Sequence, residues 1–179
     1  MSVLVKLIIT ILISMSLNNT IIYDFSETNS IEDWQIVNDG VMGGLSNSTI
    51  SLTENNYGKF EGHVSLENNG GFASVRLLTD VDIKPDENYI ELKVKGDGKT
   101  YQFRLKGKRS QRQSYVQEFK TSGEWQTIKL KINQFSPQFR GRPLDFPNFD
   151  FSSIKEVRFL IGNKKEQDFR LLIDSIVLK

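Results

Sequence analysis

From residue 20 onward apolar and polar residues alternate with a period of two, and no twelve-residue window carries a 3.6-residue apolar stripe. Phe60, Gly62, Val64 and Leu66 share one side of an extended segment, with Lys59, Glu61, His63 and Ser65 on the other. Ile90, Leu92 and Val94 alternate with Glu91, Lys93 and Lys95, and Tyr101, Phe103 and Leu105 with Gln102, Arg104 and Lys106. Ile128, Leu130 and Ile132 do the same with Thr127, Lys129 and Lys131. Such segments are strands with one buried and one wet face, and helices should be few and short. Ile21 to Phe25 reads as a first short strand, and the apolar run Phe169–Leu178, interrupted by Asp174, as a central one. Asn69-Gly70 is a hairpin signal between the Phe60–Leu66 and Phe72–Leu78 strands. Gly96-Asp97-Gly98 joins the Ile90 and Tyr101 strands, Ser122-Gly123-Glu124 precedes the Trp125 strand, and Asn163–Asp168 reads as a final hairpin. The longest irregular stretch, Gln134 to Ser153, holds three of the four prolines. About ten evenly spaced strands without βα alternation predict an all-β chain, an antiparallel two-sheet sandwich or jelly roll.

The first residues stand apart. Lys6 precedes an apolar run, Leu7 to Leu17, too short to span a bilayer comfortably but suited to the core of a secretory signal, with Ser14 and Ser16 as small residues near a cleavage point. Residues 1–19 therefore read as a signal peptide or hydrophobic leader, and residues 20–179 as one β-sandwich domain without a transmembrane span. Export to a periplasm, envelope or medium is expected if the leader is a signal, and a membrane-associated or cytoplasmic place otherwise.

Composition narrows the chemistry. With no cysteine and one histidine, His63, disulfides, thiolate catalysis and a cysteine–histidine zinc site are excluded. No Gly-x-Ser-x-Gly elbow supports a serine triad, and no pair of carboxylates stands out for glycoside hydrolysis, so the chain reads as non-enzymatic and cofactor-free. The near balance of 23 basic against 22 acidic residues argues against nucleic acid. Asp24 and Asp174 are weak candidates for a structural calcium if the first and last strands neighbour.

Two glycine-bearing runs are the candidate binding motif. The first holds Asn38, Asp39, Gly40, Met42, Gly43, Gly44 and Ser46, and its apolar Val41 and Met42 should tuck against the body of the protein. The second holds Asn69, Gly70, Gly71, Phe72, Ser74 and Arg76. Neither run has P-loop or dinucleotide-fold spacing, so each is a shaped bend whose glycines permit φ > 0. Arg76 is expected to fix the bend through Asp39, and Arg140 and Arg142, flanking Gly141, to make a similar clamp. Eight basic residues between Lys93 and Arg112 (Lys93, Lys95, Lys99, Arg104, Lys106, Lys108, Arg109, Arg112) face one acid, Asp97, and suggest a basic stripe that Lys129 and Lys131 extend. Trp34 and Trp125 should be buried, leaving Tyr115 as the exposed aromatic for stacking on a sugar.

Trp34 through Ser46, Phe60-Glu61-Gly62 leading into Asn69–Arg76, Phe139-Arg140-Gly141-Arg142 and the ending Phe169–Ile176 together resemble the complex I intermediate-associated protein 30 family. The resemblance covers nearly the whole chain from Tyr23 to Leu178. It implies a galactose-binding-like β-sandwich and a chaperone-like assembly factor that binds unfolded or unassembled protein clients, respiratory complex subunits among them. The alternative left open is a carbohydrate- or envelope-binding module, since that fold is shared with such modules.

Overall fold

A computed structural model describes residues 19–179. The leader expected over residues 1–19 thus lies outside the described residues, apart from Asn19. The described elements are β1 (Thr20–Asp24), α1 (Phe25–Thr28), β2 (Trp34–Ile36), β3 (Asn47–Leu52), β4 (Gly58–Val64), β5 (Ala73–Asp82), β6 (Tyr89–Lys95) and β7 (Thr100–Lys106). They continue with β8 (Ser114–Lys120), β9 (Trp125–Lys131), β10 (Ser136–Phe139), β11 (Arg142–Pro143), β12 (Ser153–Ile161) and β13 (Gln167–Leu178). The first sheet runs β3-β4-β13-β6-β9, with β1 added beside β13. The second runs β11-β10-β8-β7-β12-β5-β2. Every pairing is antiparallel. This is the two-sheet sandwich that the alternation predicts.

The apolar last strand is central because it is flanked along its whole length. One edge pairs with β4 from Gln167 to Ile173 and then with β1 from Ser175 to Leu178, and the other pairs with β6. Between the sheets, Phe60, Leu92, Phe103, Val157, Phe159 and Leu171 are buried in one continuous core. Trp34 packs there against Phe25 and Phe159. Among the described residues α-helix is confined to a single turn, α1, beside short 3₁₀ turns, and its N-terminus is capped by the Asp24 carboxylate accepting from the Ser26 and Glu27 N–H groups. Among the described residues no helix is long and apolar enough to cross a membrane.

Three local expectations fail, and for one reason. Asn69-Gly70 does not close a hairpin: β4 lies in the first sheet and β5 in the second, so this run carries the chain across the sandwich. The left-handed residues there are Asn68 (φ 53°) and Asn69 (φ 59°), while Gly70 is extended, so the two-residue hairpin turn is not formed. Asn163–Asp168 likewise crosses from β12 to β13 between sheets. The basic stripe splits for the same cause: Lys93, Lys95, Lys129 and Lys131 lie on the first sheet, Arg104 and Lys106 on the second. Turn residues signal a reversal but not whether the chain stays in its sheet. The irregular Gln134–Ser153 stretch also contains the short strands β10 and β11.

Candidate functional site

The two glycine bends are stapled together by one carboxylate. Asp39 is fully buried. Its Oδ1 accepts from the Ser46 N–H at 3.0 Å, and its Oδ2 accepts from Ser46 Oγ at 2.5 Å, the Gly71 N–H at 2.6 Å and the Phe72 N–H at 3.2 Å. Burial by itself would raise this carboxyl, but the bonds from Ser46, Gly71 and Phe72 outweigh it and hold Asp39 below the usual carboxylate range. Its neighbour Asn38 repeats the device, its Oδ1 accepting from Ser48 Oγ at 2.8 Å and from the Ser74 N–H at 3.1 Å. Ser74 Oγ returns a hydrogen bond to the Val37 carbonyl. Gly43 takes φ 90°, a left-handed value, whereas Gly44 is needed for space: a Cβ there would sit 2.4 Å from Asp39 Cγ.

Several of these assignments differ from the sequence reading. Arg76 does not reach Asp39. It lies on the outer face of the second sheet, where its guanidinium donates to Gln35 Oε1 at 3.1 and 3.0 Å and approaches Glu156 at 3.7 Å. Asp39 needs no cation because its oxygens already have four donors. Met42 is not tucked in but stands 52% exposed.

The stapled bends form one wall of a cleft of about 630 Å³ on the outer face of the second sheet. Val37, Met42, Leu66, Gly70, Gly71 and Phe72 line this wall. The floor comes from outward positions of neighbouring strands: Gln102 and Arg104 on β7, Glu118 on β8, Arg158 and Leu160 on β12. Their inward alternates Tyr101, Phe103, Phe119, Val157 and Phe159 belong to the core, and this fixes the outward direction of the floor. Register sets Arg104 opposite Arg158, and Arg158 opposite Arg76. Gln138, Arg140 and Gly141 complete the lining from the β10–β11 hairpin, and Gly162 and Lys164 from the β12–β13 crossover.

Of the sequence candidates, then, Met42, Gly70, Gly71, Phe72 and Arg140 line the cleft. Asn38, Asp39, Ser46 and Ser74 hold its wall from behind. Gly40 and Asn69 belong to the short 3₁₀ turns of the two bends. Arg142 sits exposed on β11 outside the lining, so it does not pair with Arg140 as a clamp. Asp24 caps α1, and Asp174 pairs with Lys93 at 3.2 Å. Among the described residues no cluster of three or more His, Asp or Glu could hold a metal ion. Sequence reading missed Arg158 and Glu118 and saw Arg104 only as one of a stripe. The available signal was an isolated arginine inside the apolar run Val157-Arg158-Phe159.

The floor is electrostatically uneven. Glu156, almost fully buried, accepts from Arg158 Nη2 at 2.9 Å and has Arg76 and Lys106 at 3.7 and 4.0 Å. Among the described residues no carboxylate lies within ion-pair distance of Arg104. Arg104 donates through Nε and Nη2 to the neutral Gln102 Oε1, at 3.0 and 2.5 Å, and Gln102 Nε2 donates in turn to Glu118 Oε1 at 3.0 Å. Burial, then the charge of Arg158, push the Arg104 guanidinium down to about 10, with Glu118 opposing. It therefore remains charged at neutral pH.

Aromatic groups are sparse in the cleft. Phe72 is its one aromatic lining residue among those described. Tyr115 is buried against Phe149 and Phe151 rather than exposed. Trp125, expected to be buried, is instead 37% exposed and packs on Tyr57, on the first sheet and away from the cleft. His63 also lies on the first sheet, its Nδ1 2.8 Å from Asp168.

Comparison with known proteins gives a family and a fold. Residues 23–173 match the family model described as Complex I intermediate-associated protein 30. An uncharacterized protein of Schizosaccharomyces pombe is 27% identical over 168 residues, spanning 81% of this chain and 77% of its own. Among solved structures, a family 11 carbohydrate-binding module from Clostridium thermocellum, in complex with a β-1,3-1,4-mixed-linked tetrasaccharide, superposes with a TM-score of 0.64 at 16% identity, covering 89% of this chain and 94% of that one. The family 11 module of the cellulosomal cellulase Lic26A-Cel5E, from the same organism, gives 0.65 at 15% identity, covering 89% and 93%. The agarase AgWH50C gives 0.60 at 14% identity, with this chain spanning 24% of its length. At such identities the likeness is one of fold, the galactose-binding-like jelly roll.

Proposed function

Because the chain belongs to the complex I intermediate-associated protein 30 family, we propose that it is a non-catalytic assembly module that holds a segment of a client protein in the cleft walled by its two stapled bends. The observation that carries this reading is the rim. Met42, 52% exposed, and Leu66, 44% exposed, present flexible aliphatic surface beside the floor, and neither Trp nor Tyr is among the lining residues. Polypeptide side chains pack on such a surface, and methionine adapts to varied partners. The bends are tied together by four hydrogen bonds to Asp39, which favours a preformed wall and lowers the ordering cost when a client docks. Respiratory complex subunits are the client class that the family description suggests.

A photo-crosslinking residue placed at Leu66 in cells tests this reading. A discrete client adduct is expected from Leu66 and none from Ile21, which is equally open on the first sheet. Equal labelling from both positions defeats the reading.

A second reading, binding of a neutral glycan, is favoured by the carbohydrate-binding modules that share the fold. It is disfavoured by the lack of a Trp or Tyr platform in the cleft, since sugar rings stack on such faces. Retention in affinity gels containing mixed-linkage glucan, lost on Arg104→Gln, would favour it instead. Export through the leader is compatible with either reading and is tested by sequencing the amino terminus of the native protein.

A further inference from the structure

We infer that the client segment is acidic: a carboxylate of the bound chain seats on the Arg104 guanidinium, with Arg140 and Lys164 at the rim, while an adjacent apolar side chain packs on Met42 and Leu66. This rests on the client reading above and names the chemistry of the segment.

The first ground is an unbalanced charge. The lining carries Arg104, Arg140, Arg158 and Lys164 against one carboxylate, Glu118. Glu156 beneath neutralises Arg158 and still leaves an excess of cations. On the first sheet Lys59 pairs with Glu61 at 2.6 Å, Lys93 with Asp174 at 3.2 Å and Lys179 with Glu91 at 2.9 Å, while Lys129 lies over the Tyr89 ring at 5.1 Å on an exposed edge strand rather than in a cleft.

The second ground is unused donor capacity. Arg104 Nη1 has no hydrogen-bond partner among the described residues, and its other bonds go to a neutral amide. Among the described residues neither Lys164 nor Arg140 has a carboxylate within ion-pair distance, and the Arg140 guanidinium lies 5.5 Å from the centre of the Phe139 ring. A guanidinium fork accepts a carboxylate in two parallel bonds, and burial strengthens such a pair.

The third ground is backbone geometry. Among the described residues the non-glycine ones at positive φ are Asn29, Asn56, Asn68, Asn69, Arg140 and Lys164. Asparagine tolerates this region; arginine and lysine do so at a cost. The two that are not asparagine are both cationic lining residues of the cleft. Strain held at such positions marks a site whose side chains matter more than local stability.

The test is a random decapeptide array probed with the whole protein, followed by solution titration of the best peptide and of its Asp/Glu→Asn/Gln version. The expected result is enrichment of peptides with an acidic residue next to Leu, Met or Phe. Amidation of the acid should weaken binding about tenfold or more, and Arg104→Gln should do the same, while Arg104→Lys falls between. Arg140→Asn, in a surface hairpin, provides a second variant that does not disturb the floor and should also weaken the acidic peptide.

Binding of peptides without acidic enrichment overturns the inference and leaves the client reading standing. No peptide binding overturns both, and retention by polygalacturonate would then assign the same cations to an acidic glycan. Selective capture of phosphopeptides over carboxylate peptides also overturns the inference as stated.

Discussion

Replacing Asp39 tests the claim that one side chain holds both bends. Asp39→Ala removes the acceptor for three backbone N–H groups, those of Ser46, Gly71 and Phe72, and for the Ser46 hydroxyl. A hydrogen bond to a charged acceptor contributes about 1.5–3 kcal/mol net, and an orphaned buried donor costs about 1–3 kcal/mol. The sum is not additive. Gly71 and Phe72 are half-buried, so water reaches them once the bends part, whereas Ser46 stays enclosed. A loss of about 4 kcal/mol is expected. With a urea slope of about 2 kcal/mol/M, the unfolding midpoint should drop by about 2 M.

Asp39→Asn is the sharper variant. Its oxygen can serve the three donors now on Oδ2, but its NH₂ then meets the Ser46 N–H, donor against donor, for about half the loss. Amide exchange should quicken at Gly71 and Phe72 in both variants before the core strands respond. A midpoint for Asp39→Ala within 0.5 M of the parent, itself well below the ~2 M shift expected, refutes the staple.

The remaining expectations concern backbone and protons. Gly44→Ala drives a Cβ to 2.4 Å from the Asp39 carboxyl and should cost about 3 kcal/mol, more than Gly43→Ala, where space is open and only the φ of 90° is strained, at about 1 kcal/mol; thermal melts giving the reverse order would contradict this. Arg140-Gly141 forms a two-residue hairpin loop between Phe139 and Arg142 with φ 49° and 74°, the turn that favours Asn-Gly. Arg140→Asn should therefore stabilise the fold by about 0.5–1 kcal/mol while weakening the client, and a destabilised melt would refute the strain argument. Asp39 and Asp97 are both held below the ordinary carboxylate range, in each case by hydrogen bonds that outweigh burial. In acid the unfolded chain then binds more protons than the folded one. Their stabilisation is full above roughly pH 5 and is lost as pH falls through the folded-state values. Urea midpoints should decline below that pH, less steeply in Asp39→Asn, and a flat profile down to pH 3 would argue against it.

The sheet architecture was legible because alternation reports which face of a strand is wet, and β7 obeys it residue by residue, while β12 breaks it at Glu156-Val157 and over Phe159–Ile161. The bends were legible because Gly43 and Gly71 need backbone angles that few residues adopt. What stayed hidden depended on partners distant in sequence. Asp39 finds Gly71 and Phe72, 32 and 33 residues on, and Arg158 meets Arg104 only through the register of β12 on β7. Arg76 looked like the partner of Asp39 because charge complementarity is visible in a sequence. Satisfaction of a carboxylate by backbone N–H groups is not, and every residue other than proline carries that donor. The cleft thus emerged from pieces that had been seen singly.

Where local rules are broken is itself informative. A chain selected only to fold would put Asn or Gly at every left-handed position and give every half-buried arginine a carboxylate. This chain follows the first rule at Asn29, Asn56, Asn68 and Asn69, and the ion-pairing rule at Arg158 and at Lys59, Lys93 and Lys179. It departs from them at Arg140, Lys164 and Arg104, residues that come from three different connections or strands and share one cleft. Independent accidents would scatter over both faces of the sandwich. Their convergence is what a ligand would require if it supplied the missing negative charge, and a partner that ignores Arg104, Arg140 and Lys164 would leave three separate departures without a common cause.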